Sequence, residues 1–304
     1  MKSISKMIVI PELGIFSGEP LKQSSRRKRN SLGSQMQSTL VPPLSYTGTQ
    51  VEAHGRSVPK DDVGGDLMDL VANANNVTAY VADVSGHGFR AGVLMGMVKT
   101  AVRYGLLLGQ PLTRLLDDLN RVLPTVKEPN MYTTFAALRF NGSHEAEYVS
   151  AGHVPLLHYR HNTRDITRYC VPQLPLGLIA EDGYTSTKIQ FQAGDIFAMV
   201  TDGIVERGEE PNYDYGLDRI TKLLRNNADA SLRDLTELIY ADLADCGKQR
   251  DDETVLLLKA RDEKVVDPRA DASFPIREST KNTAFLESMW NRLLDDLADE
   301  LSRE

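Results

Sequence analysis

Asn76-Val-Thr-Ala-Tyr-Val-Ala82 runs straight into Asp83-Val-Ser-Gly-His-Gly88. The first seven residues are rich in β-branched and aromatic types, which suit a strand. After Gly88, apolar residues return at helical spacing: Val93, Leu94, Met97, Val98, Ala101 and Val102. A strand therefore delivers a carboxylate, glycines turn the chain and a helix leaves. The N–H groups at the start of that helix are expected to face the same region as Asp83.

Working outward, three further places join a carboxylate to a glycine or turn and to an apolar run. They are Val63-Gly-Gly-Asp66, Thr201-Asp-Gly203 and Asp251-Asp-Glu-Thr254. Ile196–Val200 predicts a short strand ending at Thr201-Asp202, and Thr254–Lys259 predicts one that begins where Asp251-Asp252 ends. Tyr132–Phe140 and Ala146–Ala151 flank Asn141-Gly142, a strong hairpin signal. Leu217–Arg225 and Leu232–Ala244 predict helices. Hairpins with helices arriving in blocks argue against a doubly wound parallel sheet. They favour an α+β class in which sheets pack together under helices.

Singly, each acidic motif is a common turn sequence, and four acidic surface turns are the competing reading. Their shared placement at strand ends points to one cleft holding Asp66, Asp83, Asp202 and Asp251. Without neutralisation, such carboxylates raise one another's pKa. Hard divalent cations take oxygen ligands and resolve the conflict. Two ions roughly 3.5–4 Å apart can activate a bridging water and clamp a phosphoryl group.

The rest of the composition sets limits. The chain has 304 residues, 41% hydrophobic and 25% charged, enough for one large domain with appendages. Its net charge of -7 argues against general nucleic-acid binding. Cys170 and Cys246 lack zinc or CxxC spacing, so reduced thiols are expected. Met1–Pro11 is too short an apolar run for a signal peptide, and a cytoplasmic location is expected. Ala91–Gly109 carries Lys99 and Arg103, which suits a buried helix and not a membrane span. Neither nucleic acid nor membrane is therefore an expected partner.

Residues 1–45 predict a flexible segment, with a basic run at Ser24–Ser31. Residues 46–261 carry the main domain, and 262–282, with Pro268 and Pro275, a linker. Residues 283–304 predict an amphipathic helix with Leu286, Met289, Trp290, Leu293, Leu294, Leu297 and Leu301 on one face. That stripe would pack on its own domain or contact a regulator or a second copy.

In order, Val63–Asp66, Asp83–Gly88, Ala151-Gly-His-Val-Pro155, Leu174-Pro-Leu-Gly177, Thr201-Asp-Gly-Ile-Val-Glu206 and Asp251–Thr254 resemble the bacterial metal-dependent serine/threonine phosphatases of the PPM family, RsbU/SpoIIE-like branch. The resemblance covers roughly residues 35 to 260. It implies an α-β-β-α sandwich of two stacked antiparallel sheets flanked by helices. It also implies two Mn²⁺ or Mg²⁺ ions held by Asp66, Asp83, the Val84 carbonyl, Asp202 and Asp251, with Asp66 and Asp83 holding a bridging water that attacks a phosphoserine or phosphothreonine. Asp252 matches an adjacent position and is not an expected direct ligand. The substrate implied by analogy is a small anti-sigma-factor antagonist in a partner-switching pathway.

Other residues enter on local grounds. His153 is a candidate to orient the cleft or to act as a general acid near neutral pH. Arg56 is a candidate phosphate contact from its position upstream of Gly64-Gly65. His87 is expected to cap the helix after Gly88. Ser85 lacks a Gly-x-Ser-x-Gly elbow and is not a nucleophile. The competing function is a catalytically silent relative that binds a phosphoprotein and signals by conformation, and the intact set of four carboxylates speaks against it. A nucleotide-cyclase reading of Gly-Gly-Asp fails because Leu67-Met68-Asp69 is not the acidic-aromatic loop such a site needs.

Overall fold

The computed structural model describes residues 32–73, 76–142, 144–179, 183–207 and 213–261. The basic run, the expected linker and the expected C-terminal helix lie outside the described residues.

The first elements are α1 (Leu32–Leu40), β1 (Leu44–Thr47), β2 (Val51–Val58), β3 (Leu67–Ala72) and β4 (Val77–Val84). Two helices follow, α2 (Phe89–Leu107) and α3 (Leu112–Val126). Next come β5 (Thr133–Phe140), β6 (Glu145–Ala151), β7 (Leu156–Tyr159), β8 (Ile166–Tyr169), β9 (Ser186–Gln190) and β10 (Ile196–Val200). The chain closes with α4 (Asp202–Val205), α5 (Tyr213–Asn226), α6 (Leu232–Ala244) and β11 (Glu253–Ala260).

One sheet has the order β1-β2-β11-β10-β7-β8 and the other β3-β4-β5-β6-β9, with antiparallel pairing throughout. Helices α2 and α3 cover the five-stranded sheet, and α5 and α6 cover the six-stranded one. This is the expected α-β-β-α sandwich. Each sheet buries both faces, so its central strands carry near-continuous apolar runs: every residue of β10, Ile196–Val200, is buried.

The helices follow from their apolar stripes. In α3, Leu112, Leu115, Leu116, Leu119 and Leu123 recur at helical spacing and are buried. In α6, the Ser231 hydroxyl accepts the Asp234 N–H at 3.1 Å, an N-cap that satisfies one of the first turn's free donors. One core lies between the sheets and under α2 and α3, including Leu67, Val81, Phe135 and Leu256. A second lies under α4–α6, including Ile204, Leu224, Ile239 and Leu257.

The expected domain boundary at residue 46 falls too late. Helix α1 precedes it and strand β1 straddles it, pairing with β2 from Leu44↔Gly55 to Thr47↔Glu52. Gln37 of α1 is buried and its Oε1 accepts the Gly64 N–H at 3.2 Å. The polar composition of this stretch concealed a helix held by tertiary contacts. No helix among the described residues is long and apolar enough to cross a membrane.

Candidate active site

Strand register brings the acidic motifs to one end of the sandwich. Leu67 pairs with Ala82, so Asp66, just before β3, and Asp83, near the end of β4, are neighbours. Val200 pairs with Val255, so Asp202, at the start of α4, and Asp251-Asp252, before β11, are neighbours on the other sheet. Glycines make both approaches close. A Cβ on Gly65 would stand 2.5 Å from the Val84 carbonyl oxygen, and one on Gly203 would stand 2.0 Å from the Asp252 carbonyl oxygen. Any side chain at either position would push a carboxylate-bearing segment away from its partner.

The two sheets are joined at this end through Thr201. Its hydroxyl donates to Asp66 Oδ2 at 2.8 Å and accepts the Thr254 N–H at 3.0 Å. Asp252 is pinned by backbone: its Oδ1 accepts the Lys60 N–H and its Oδ2 the Gly65 N–H, both at 2.7 Å. Both oxygens are thus engaged by the Lys60–Gly65 loop. Asp251 Oδ1 accepts the Asp252 N–H at 2.9 Å, which holds the turn before β11.

The electrostatics are those of a buried carboxylate cluster. Asp66 is 1% exposed, and its Oδ1 is buried with no hydrogen-bond partner. Burial, followed by the charges of Asp83 and Asp252, pushes its carboxyl well above the usual range. Burial and then the charges of Asp202, Asp251 and Asp252 do the same to Asp83. Asp202 is pushed up to about 6 by burial, then Asp251 and Glu206. Asp252 is also raised, chiefly by burial.

Among the described residues, no group of three or more His, Cys, Asp or Glu side chains is arranged to hold a metal ion as it stands. The donor chemistry nevertheless fits hard divalent cations: carboxylates from two sheets, an orphaned buried oxygen on Asp66, and the Val84 carbonyl beside Gly65.

Three sequence expectations change. Arg56 points to α6, where its Nη1 donates to Glu237 Oε2 at 3.0 Å and its guanidinium lies 4.4 Å from the Tyr240 ring centre. It is committed to the helix-covered face of the sheet and is not a contact of the acidic cluster. His153 is buried, with Nδ1 2.8 Å from Thr134 Oγ1, and burial lowers its pKa to about 4. A pKa of about 4 leaves it neutral near pH 7 and held against Thr134 of β5, which speaks against the general-acid alternative. His87 caps no helix: Gly88 occupies the cap, and His87 Nδ1 contacts Asp61 Oδ2 at 2.7 Å.

Ser85 and the Leu174–Gly177 segment take supporting places in the architecture. Ser85 Oγ accepts the Tyr132 N–H at 2.9 Å and so supports the turn after β4. Leu176 exchanges backbone hydrogen bonds with Thr133, and Gly177 N–H donates to Asn120 Oδ1 at 2.7 Å. The Leu174–Gly177 segment thus braces β5, the strand next to Asp83, against α3. Thr201 is the residue that the sequence reading passed over. It stood inside a quoted motif, but its partner Asp66 lies 135 residues away in sequence.

Comparison with known proteins agrees with this geometry. A family model described as Stage II sporulation protein E (SpoIIE) matches residues 73–261. Phosphoserine phosphatase RsbU of Bacillus subtilis strain 168 is 25% identical over 246 residues, covering 79% of this chain and 72% of that protein. The solved RsbU and RsbW domains of a Mycobacterium tuberculosis protein share 24% identity at a TM-score of 0.64. That match covers 73% of this chain and 62% of the other, so this chain spans less than two thirds of that two-domain structure. RsbX, solved in complex with magnesium, shares 17% identity at a TM-score of 0.56, over 72% of this chain and 99% of RsbX.

Proposed function

The chain belongs to the SpoIIE family of protein serine/threonine phosphatases, and on that premise we propose that its acidic cluster hydrolyses phosphoserine and phosphothreonine esters on a regulatory protein. The observation that carries the reading is Asp66. It is a fully buried carboxylate with one oxygen held by Thr201, the other without a partner, and a second carboxylate, Asp83, close enough to raise its pKa.

In this reading Asp66, Asp83, the Val84 carbonyl, Asp202 and Asp251 hold two Mn²⁺ or Mg²⁺ ions. When bound, such ions lower the pKa of a coordinated water and offset charge on phosphoryl oxygens. The protein's own part is to orient and exclude. Gly65 and Gly203 let the carboxylate-bearing segments meet, and Asp252 fixes the Lys60–Gly65 loop through two backbone N–H groups. Thr201 fixes Asp66. Helix α2 starts at Phe89, a few residues beyond Asp83, and the N–H groups of a helix start are donors that suit an anion.

The finer proposal is the substrate: a small anti-sigma-factor antagonist in a partner-switching pathway. Its support is the phosphoserine phosphatase RsbU and the solved chain that joins an RsbU domain to an RsbW domain. Hydrolysis of p-nitrophenyl phosphate with Mn²⁺, with and without EDTA, in wild type and Asp202→Asn, tests the chemistry. Turnover that survives both chelator and substitution would overturn it. No chelator-sensitive turnover in the wild type would favour the silent-module alternative. Failure against every small phosphoserine or phosphothreonine candidate, with aryl phosphatase activity intact, would reject the substrate class alone.

A further inference from the structure

We propose that Thr201 is a positioning residue that holds the Asp66 carboxylate with one oxygen engaged in the interior and the other left for the cation site. The inference deepens the phosphatase reading and rests on it.

A hydroxyl has one proton to donate and lone pairs to accept with. Thr201 Oγ1 lies 3.0 Å from the Thr254 nitrogen, which can only donate. The hydroxyl proton is therefore left for the second partner, Asp66 Oδ2, at 2.8 Å. For ionised Asp66, the form that binds a cation, the donor inventory sets the direction of this chain without any placed hydrogen: Thr254 N–H to Thr201 Oγ1, then Thr201 O–H to Asp66 Oδ2.

The hydroxyl's own position is fixed from several sides. Thr201 N–H donates to the Thr254 carbonyl at 3.1 Å, which closes the end of the β10–β11 pair. Thr254 Oγ1 donates to Ser57 Oγ at 2.9 Å, which ties the pair to β2. Thr201 and Thr254 are both fully buried, so no bulk water competes for these bonds. Asp66, by contrast, enters from the other sheet, just before β3. The bond thus runs from a rigid strand pair in one sheet to a loop carboxylate of the other.

The consequence is selective. Oδ2 is engaged in the interior, and Oδ1 is the oxygen left without a partner. Tilting the carboxylate off this bond would strand the Thr201 proton in the interior, whereas a half-turn only exchanges two equivalent oxygens. Asp66 is therefore presented to a cation through the oxygen that Thr201 does not hold. Outer partners of this kind orient ligands, and their loss weakens metal binding roughly 10–100-fold.

The test is Mn²⁺ binding, followed by the electron paramagnetic resonance signal of free Mn²⁺, on wild type, Thr201→Val, Thr201→Ser and Asp66→Asn. Thermal melting confirms folding of each. Thr201→Val keeps the shape and removes the hydroxyl, and we expect it to bind Mn²⁺ roughly 10–100-fold more weakly, with Thr201→Ser within about threefold of wild type. A folded Thr201→Val that binds like wild type, or a Thr201→Ser as weak as Thr201→Val, overturns the proposal. If Thr201→Val does not fold, Thr201→Ala, which removes the hydroxyl without adding bulk, takes its place, and wild-type affinity there overturns the proposal equally. Asp66→Asn separates the two levels. Wild-type Mn²⁺ affinity in Asp66→Asn would remove the metal site itself. Weakened affinity in Asp66→Asn with none in Thr201→Val would remove only the role of Thr201.

Discussion

Asp66 and Asp69 are three residues apart, both lie almost wholly buried at 1% and 4% exposure, and they live in opposite electrostatic worlds. Asp69 is enclosed by partners. Arg103 donates to it from Nε at 2.5 Å and Nη2 at 2.7 Å, Tyr80 from its hydroxyl at 2.8 Å, and the Lys99 ammonium lies at 3.5 Å. Burial pushes its carboxyl up, but the Arg103 hydrogen bonds and the Lys99 charge outweigh that and hold it below the usual range. Asp66 has only the neutral hydroxyls of Thr254 and Thr201 to lower it, against burial and carboxylate neighbours, and is raised. A buried charge that the fold neutralises belongs to stability. A buried charge left for something else to neutralise is the mark of a site.

This contrast can be broken at four points. Replacing Asp69 by alanine leaves Arg103 and Lys99 facing each other, half-buried and uncompensated. We expect a loss of about 3–5 kcal/mol, read as a shift in the urea midpoint, with turnover per folded molecule nearly unchanged. A shift below about 1 kcal/mol would mean that water satisfies the two cations without Asp69.

Asp66→Asn inverts the pattern. Activity on p-nitrophenyl phosphate at saturating Mn²⁺ should fall by more than about 100-fold, since loss of an outer partner alone costs roughly 10–100-fold. The melting temperature without metal should stay level or rise, because one member of a repulsive set is gone. A variant that is destabilised and still active would put Asp66 in the same class as Asp69.

The third point is pH. The folded-state pKa of Asp202, about 6, lies above the ordinary carboxylate value of 3.8. Its protonated form therefore favours the fold at low pH, and that contribution is lost as pH rises through about 6. Asp66 and Asp83 shift in the same direction. Metal-free protein should be less stable at pH 7.5 than at pH 5 by about 1 kcal/mol after solvent screening, and Mn²⁺ should restore the loss at pH 7.5. A melting temperature that is flat across this range and insensitive to Mn²⁺ contradicts the contrast.

The smallest effect belongs to Arg56→Ala. Loss of its exposed pair with Glu237 and its contact with Tyr240 should cost less than about 1 kcal/mol and leave aryl phosphatase activity unchanged. A tenfold fall in kcat/KM would return Arg56 to the substrate site.

Much of this architecture was legible before any coordinates. The β4–α2 unit, the β5–β6 hairpin around Asn141-Gly142, β10, α6 and β11 all announce themselves by period, β-branching and glycine. Strands β7 and β8 escaped, because four residues each are too few to show a period. Helix α1 escaped because its sequence is polar and its stability comes from contacts such as Gln37 with Gly64. Arg56 was misplaced because position in the sequence says nothing of which face of β2 a side chain takes until the pairing is known.

What the sequence determined by itself was the inventory: four carboxylates at strand ends, glycines beside them, and the alternation of hairpins and helices that makes a covered sandwich. These are local properties, set by period, turn chemistry and residue type. The tertiary structure alone decided which carboxylates stay uncompensated. Asp69 finds Arg103 34 residues away, and Asp66 finds Thr201 135 residues away. Partners at such distances are chosen by sheet stacking and strand register, and no local pattern encodes them.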